Sequence, residues 1–283
     1  MKLASFEYDG KPSYGIAAEE RVREASAAFR RRFADLRAVI AADAMHELDD
    51  DSGGTEYAAR DVRFIPVIPN PDKILCVGVN YRPHIEEMGR EAPDHPLVFV
   101  RFPGSLVGHD QPIRRPSISQ QFDFEGELAV VIGRRARHVS RERALDVVAG
   151  YCCFMDGSIR DWQRHTSQFI PGKNFHHSGA MGPSIVTADE IPDPTILQLT
   201  TVVNGEVMQR GQVSDLVFDI PRLIEYCSTF AELLPGDVIA TGTPGGVGAA
   251  RKPPVWLKTG DTVEIQIPGV GLLRSPVLDE SAT

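Results

Sequence analysis

The sequence predicts an α+β fold in which strands dominate. Three features carry that expectation: short runs enriched in β-branched residues, few helical periods of any length, and turn residues between them. The chain has 283 residues, 42% of them hydrophobic, so it can bury a sizeable core as one large domain or as a large domain with a small one. Residues 2–6 and 14–18 read as strands, and the Ala-, Arg- and Glu-rich stretch 19–48 reads as helix. The run Asp49-Asp50-Asp51-Ser52-Gly53-Gly54 and the proline-marked stretch 65–71 break that pattern. A domain boundary is expected there, with residues 1–69 as a small N-terminal α+β domain and 70–283 as the main one. Beyond it, strands are expected at 74–79, 97–101, 125–132, 198–203, 237–241 and 262–267. Helices are expected from a Ser140 cap toward residue 149, from 219 or 220 to 229, and as a short turn at 84–88.

The formal charge of −9 and a pI near 5.4 argue against a nucleic-acid partner, because phosphate-coating surfaces need clustered excess Lys and Arg. Arg134, Arg135, Arg137, Arg141 and Arg143 form a basic run, but it joins a strand to a helix and reads as a solvated connection. No stretch approaches the roughly 18 apolar residues of a membrane helix, and the first residues lack the apolar core of a secretory signal. A cytoplasmic protein with no membrane partner is expected. Cys76, Cys152, Cys153 and Cys227 show no C-x-x-C spacing. The adjacent pair would point to opposite faces of a strand, so reduced, buried thiols are expected.

The chemistry concentrates in Asp123-Phe124-Glu125-Gly126-Glu127-Leu128. On a strand, Glu125 and Glu127 share one face, with Phe124 and Leu128 on the other. Two carboxylates about 7 Å apart would repel if dry, and a hard cation between them removes the conflict. Asp156, at the end of the apolar run Tyr151 to Met155, offers a third carboxylate. An E-x-E taken alone is usually a solvated strand face. With Asp156, and with no Cys or paired His ligand nearby, the set suits Mg²⁺ or Mn²⁺ better than zinc.

Further motifs accompany this one: Asn80-Tyr81-x-x-His84-x-x-Glu87, Asp156-Gly-Ser-Ile-Arg160-Asp161-Trp-Gln163, Pro171-Gly172-Lys173-Asn-Phe, Met181-Gly182-Pro183, Ser214-Asp215-Leu216-Val217-Phe218, and Leu234-Pro235-Gly236-Asp237 running on to Thr241-Gly242-Thr243-Pro244. In that order, over residues 70 to 278, the chain resembles the fumarylacetoacetate hydrolase family. The resemblance implies a mixed β-sandwich roll with the metal in its mouth, a homodimer, and Glu125, Glu127 and Asp156 as the metal ligands. It also implies that the His84 turn lies on a lid that orders over substrate. His176-His177 stands where that family often has an acidic residue, and Gly157 and Ile159 depart from the common neighbours of Asp156; these differences bear on substrate.

His84 and Glu87, at i and i+3 behind Pro83, can act as a base dyad that activates water. Arg160 and Gln163 follow Asp156 by four and seven residues, so a helical turn would aim them at the same cavity. With the ion and three carboxylates at about −1, Arg160 and Lys173 are the candidates to compensate an anionic substrate, Lys173 at a developing enolate. Tyr81 is expected to touch substrate. Residues 241–248 lack both the P-loop ending and the dinucleotide order; their N–H groups and the Thr243 hydroxyl are expected to hold a substrate carboxylate. Ser105 is not in a nucleophile elbow but could line the site. The leading expectation is hydrolytic C–C cleavage of a 1,3-dioxo or acylpyruvate-type acid, in the breakdown of aromatic compounds. The main alternatives on the same metal are decarboxylation of an oxaloacetate-type acid and isomerisation or hydration of an oxo-dienoate. A catalytically silent oligomeric scaffold is the remaining reading, and it predicts lost ligands.

Overall fold

The computed structural model describes residues 1–281 except Met88 and Arg90, and only the backbone of His84. The chain opens with β1 (Lys2–Tyr8), β2 (Lys11–Ala17) and β3 (Arg21–Glu24), each antiparallel to the one before; β4 (Glu56–Ala58) adds to β3, and β5 (Arg63–Phe64) pairs with β1. Between β3 and β4 lie α1 (Ala27–Arg32), α2 (Leu36–Ala41) and α3 (Met45–Asp50). The helix expected over 19–48 is therefore not one element. Val22 and Glu24 are buried in alternation, which is strand behaviour, and the helices restart where the Ser26 and Asp35 side chains accept the N–H groups of Phe29 and Ala38.

The body follows with β6 (Ile74–Gly78), α4 (Arg82–Glu87), β7 (Leu97–Arg101), β8 (Leu106–Val107), β9 (Ile113–Arg115), β10 (Phe122–Asp123), β11 (Gly126–Ile132) and β12 (Val148–Met155). Next come β13 (Ser158–Ile159), α5 (Arg160–Gln163), α6 (Ile170–Lys173), β14 (Gly179–Thr187), β15 (Gln198–Val203), β16 (Glu206–Gln212) and α7 (Ile220–Phe230). The last strands are β17 (Val238–Ala240), β18 (Thr262–Ile267) and β19 (Gly271–Asp279). The helix expected after Ser140 is a 3₁₀ segment, Arg141–Val147, that feeds directly into β12.

The large sheet runs β4-β3-β2-β1-β14-β12-β11-β17-β6-β7, with β5 and β8 attached to β1 and β14; a second sheet runs β16-β15-β18-β19-β9. Strand β11 shows how the layers meet, since every residue in it is buried. Leu128, Val130 and Ile132 pack toward the second sheet and α7, among Leu199, Ile265, Leu223 and Ile224. Ala129 and Val131 pack on the opposite side among Leu36, Val39 and Ile40 of α2. Alternation along one strand thus fills two cores. Gly126 is required where the sheets touch: a Cβ there would sit 2.1 Å from Thr201 Oγ1 and 2.8 Å from Ile265 Cδ1.

All four cysteines are free and buried, and burial pushes the Cys153 and Cys227 thiols up to about 12. The basic run is paired on the surface, Arg135 with Glu232, Arg141 with Asp219 and Arg143 with Asp146.

Residues 1–69 join the body through the sheet, with Leu3 opposite Ile185 in the β1–β14 pair. Because Leu3 is fully buried in the core shared with β11 and β12, we expect calorimetry to show one cooperative unfolding transition. Leu3→Ala is expected to lower the stability of the whole by about 2–5 kcal/mol. A separate early transition, moved alone by the substitution, would show that the segment unfolds independently.

Candidate metal centre

The site sits where β11 and β12 end side by side. Their antiparallel register sets Gly126 opposite Met155 and Glu127 opposite Phe154. One step further out, the Asp156 N–H donates to the Glu125 carbonyl at 2.8 Å. Two adjacent strands therefore deliver Glu125, Glu127 and Asp156 to one place, all buried, with one carboxylate oxygen of each within 4.8 Å of the others.

Three cations hold Glu125 and Asp156. Arg160 donates from Nη2 to Glu125 at 2.7 Å, from Nε to Asp123 at 2.8 Å and from Nη1 to the Gln163 amide oxygen at 2.9 Å. Lys173 bridges Glu125 Oε2 and Asp156 Oδ2, the latter at 2.5 Å, and lies over the Phe99 ring. Burial alone would lower its pKa, but the Asp156 and Glu125 charges outweigh that and hold it above the ordinary lysine range, so it stays charged. Arg101, at the end of β7, donates to Asp156 at 2.5 Å, to the Gly157 and Ser105 carbonyls and to the hydroxyls of Ser105 and Ser178. All five guanidinium donors are thereby used.

Arg160 reaches the site differently from the sequence expectation. No continuous helix runs from Asp156: the chain turns through β13, and α5 begins at Arg160. Gly172 on α6 lets that helix lie against α5, because a Cβ there would sit 2.3 Å from the Gln163 nitrogen. This contact brings Lys173 beside Arg160.

The glycine-rich loop after β17 does hold carboxylates, but they are the protein's own. Gly242 N–H donates to Glu127 at 2.9 Å, Gly246 N–H to Glu87 at 3.0 Å, and Gly248 and Ala249 N–H to Asp123 at 2.8 and 3.0 Å. Gly246 has a positive φ of 100°, and a Cβ there would lie 2.2 Å from the Met208 carbonyl. The Thr243 hydroxyl donates to the Gly126 carbonyl and accepts from the Gln209 amide, so its proton is spent inside the protein.

A cavity of about 370 Å³ opens onto the three acids, and its walls include Glu87, Arg160, Gln163, Lys173 and Thr243. Tyr81 is not among them. Its ring is fully buried in the core behind α4, its hydroxyl has no hydrogen-bond partner among the described residues, and burial raises its pKa. Ser105 is likewise behind the wall, where it supports Arg101. The side chain of His84 lies outside the described residues, so the expected dyad is seen only at its Glu87 end. Arg101 and the role of Asp123 escaped the sequence reading: Arg101 ends an unremarkable apolar strand, and only the fold brings it 55 positions along the chain to Asp156.

Among the described residues four buried carboxylates, Asp123, Glu125, Glu127 and Asp156, face three cations, Arg101, Arg160 and Lys173. Among the described residues Glu127 accepts one hydrogen bond, from Gly242, and pairs with no cation. Burial first, then the Asp156 and Glu125 charges, push its pKa well above the usual carboxylate range. An oxygen-only donor set with one uncompensated negative charge fits a hard divalent ion of the Mg²⁺ or Mn²⁺ kind.

The chain resembles known proteins in both sequence and fold. Residues 73–278 match the family model described as fumarylacetoacetate (FAA) hydrolase C-terminal. The oxaloacetate tautomerase YisK of Bacillus subtilis is 42% identical over 233 residues, 81% of this chain and 77% of that protein. Among solved structures, a putative HpcE protein from Mycobacterium smegmatis superposes with a TM-score of 0.89 at 34% identity, covering 99% of this chain and all of the other. Maleylpyruvate hydrolase from Sphingobium sp. SYK-6, solved with manganese(II) and pyruvate, does so with a TM-score of 0.82 at 28% identity and the same coverage.

Calorimetric titration of the purified protein with Mn²⁺ is expected to show one site per chain. Glu127→Gln should weaken it by more than tenfold, and Arg101→Met, which removes the partner that orients Asp156, by roughly 10–100-fold. Unchanged affinity in both variants would place the ion elsewhere.

Proposed function

This chain belongs to the fumarylacetoacetate hydrolase family, and on that premise we propose that it is a divalent-metal enzyme that interconverts the enol and keto forms of an oxaloacetate-type 2-oxo acid. The observation that carries this reading is the buried carboxylate triad, held in fixed geometry by charged partners at the floor of a substrate-sized cavity. The activity named for YisK, at 42% identity, supports the choice of reaction. It shifts the balance from the hydrolysis expected from the sequence to proton transfer at the carbon beside the oxo group.

A divalent ion on Glu125, Glu127 and Asp156 would supply Lewis-acid polarisation of the 2-oxo and carboxylate oxygens. Lys173 adds a permanently charged ammonium where negative charge develops on the enol oxygen, and because Glu125 and Asp156 fix it in place, little reorganisation is needed during the reaction. Arg160 keeps Glu125 oriented and fixes the Gln163 amide, whose NH₂ end is then the donor available to substrate. Glu87, on the cavity wall and held by the Gly246 N–H, is placed to take the proton that leaves C3 as the C2=C3 bond forms, while O2 acquires one. His84 would act with it. A homodimer, which the family resemblance implies, accompanies this reading, as does the cytoplasmic location expected from the sequence.

A second reading remains in view for one reason: a carboxylate at Glu87 could equally activate a water, which would convert the same site to C–C hydrolysis of an acylpyruvate-type acid. Ultraviolet absorbance separates the two. With Mg²⁺ or Mn²⁺ present, we expect loss of the enol-oxaloacetate band to accelerate above the buffer-catalysed rate, and Lys173→Met to lower kcat by roughly 10²–10³-fold. Pyruvate release from acylpyruvates, with enol loss left at background, would establish the hydrolase reading instead.

A further inference from the structure

The cavity wall carries a third cation, Arg164, beside Arg160 and Lys173. The other two are committed. Arg160 is engaged by Asp123, Glu125 and Gln163, and Lys173 by Glu125 and Asp156. Arg164 stands at the C-terminal end of α5, one residue beyond Gln163, with its side chain exposed at the mouth, and it makes no hydrogen bond or ion pair with any described residue. Among the described residues it is the one positive charge on the wall that no protein carboxylate uses.

The charge balance gives that position a meaning. A divalent ion would bring the buried cluster to one net positive charge, which matches the single carboxylate of a 2-oxo acid bound at the floor. A second carboxylate on the same molecule has no counter-charge there among the described residues. The remaining walls at hand are apolar or small: Val79, Phe169, Val247, Ala249 and Ala250. Desolvating a carboxylate against them without a partner would be costly. A guanidinium at the mouth, carried on a short helix fixed by its packing against α6, supplies planar bidentate recognition of that group.

We propose that Arg164 is the specificity residue of this site and selects dicarboxylic 2-oxo acids by binding the carboxylate distal to the one held at the floor. The assignment rests on the 2-oxo-acid reading of the cavity. Arg164 does not take part in the proton transfer; it decides which acid stays long enough to undergo it.

Pyruvate and oxaloacetate differ by the distal carboxylate alone, so they form the test pair. Binding of each, freshly dissolved, is followed by fluorescence titration of the Mn²⁺-loaded protein, in which Trp162 on α5 lies close to the site. The wild type is expected to bind oxaloacetate more tightly than pyruvate. Arg164→Met should weaken oxaloacetate binding about tenfold while moving pyruvate less than about twofold, and Arg164→Lys should recover part of the loss. Equal losses for both acids, no change for either, or a wild type with no preference for oxaloacetate would each overturn the assignment. A parallel enol-loss assay keeps the two claims apart. Tautomerase activity and affinity that are both indifferent to Arg164 would sink this inference and leave the proposed reaction standing. An Arg164-dependent preference without tautomerase activity would do the reverse.

Discussion

The structure turns on a buried ionic cluster that, among the described residues, is balanced to within one charge. Ions of this kind are expensive to desolvate, and mutual attraction in the interior compensates only when nearly every lone pair and proton has a partner. That condition is met residue by residue. The Asp123 carboxylate accepts from four donors, Arg101 uses its whole guanidinium, and Lys173 is shared between two acids. Glu127 is the exception, and it faces the cavity. The fold serves this arrangement. Gly126 admits the second sheet, Gly172 admits α5, and the loop after β17 turns its N–H groups onto three acids.

Cations spent on protein carboxylates are rigid, and rigidity is what makes an electrostatic site effective, because nothing needs to reorient as charge moves onto the substrate. The same commitment limits them. Arg160 and Lys173 cannot also neutralise every carboxylate a substrate brings, so in the proposed reading discrimination falls to groups at the cavity mouth, away from the carboxylate triad. Relatives named for different reactions, a tautomerase and a hydrolase, are consistent with that division.

Much of the site was legible in the sequence because it is written in local spacing. Strand alternation put Glu125 and Glu127 on one face, and an apolar run ending in an acid identified Asp156. What was not legible depends on contacts between distant segments. Arg101 follows four apolar residues and carries no motif, and its partners lie across the sheet. The loop N–H groups were expected to hold a substrate carboxylate and instead meet Glu127, Glu87 and Asp123, while the Thr243 hydroxyl goes to the Gly126 carbonyl; spacing does not say which acceptor a donor meets. Tyr81 precedes α4 by one residue, and only packing decides that its ring turns inward. In the N-terminal segment, Arg21-Val22-Arg23-Glu24 has helix-forming composition; pairing with β2 and β4 overrides that weak preference.

Whether the three carboxylates at the ends of β11 and β12 share one hard divalent ion is read from anomalous diffraction of a crystal soaked in Mn²⁺. A single strong peak is expected in the cavity floor within coordination distance, about 2.1 Å as for Mg²⁺, of one oxygen each from Glu125, Glu127 and Asp156. A peak bound by other residues, or a floor that stays empty while Mn²⁺ binds elsewhere, would contradict it.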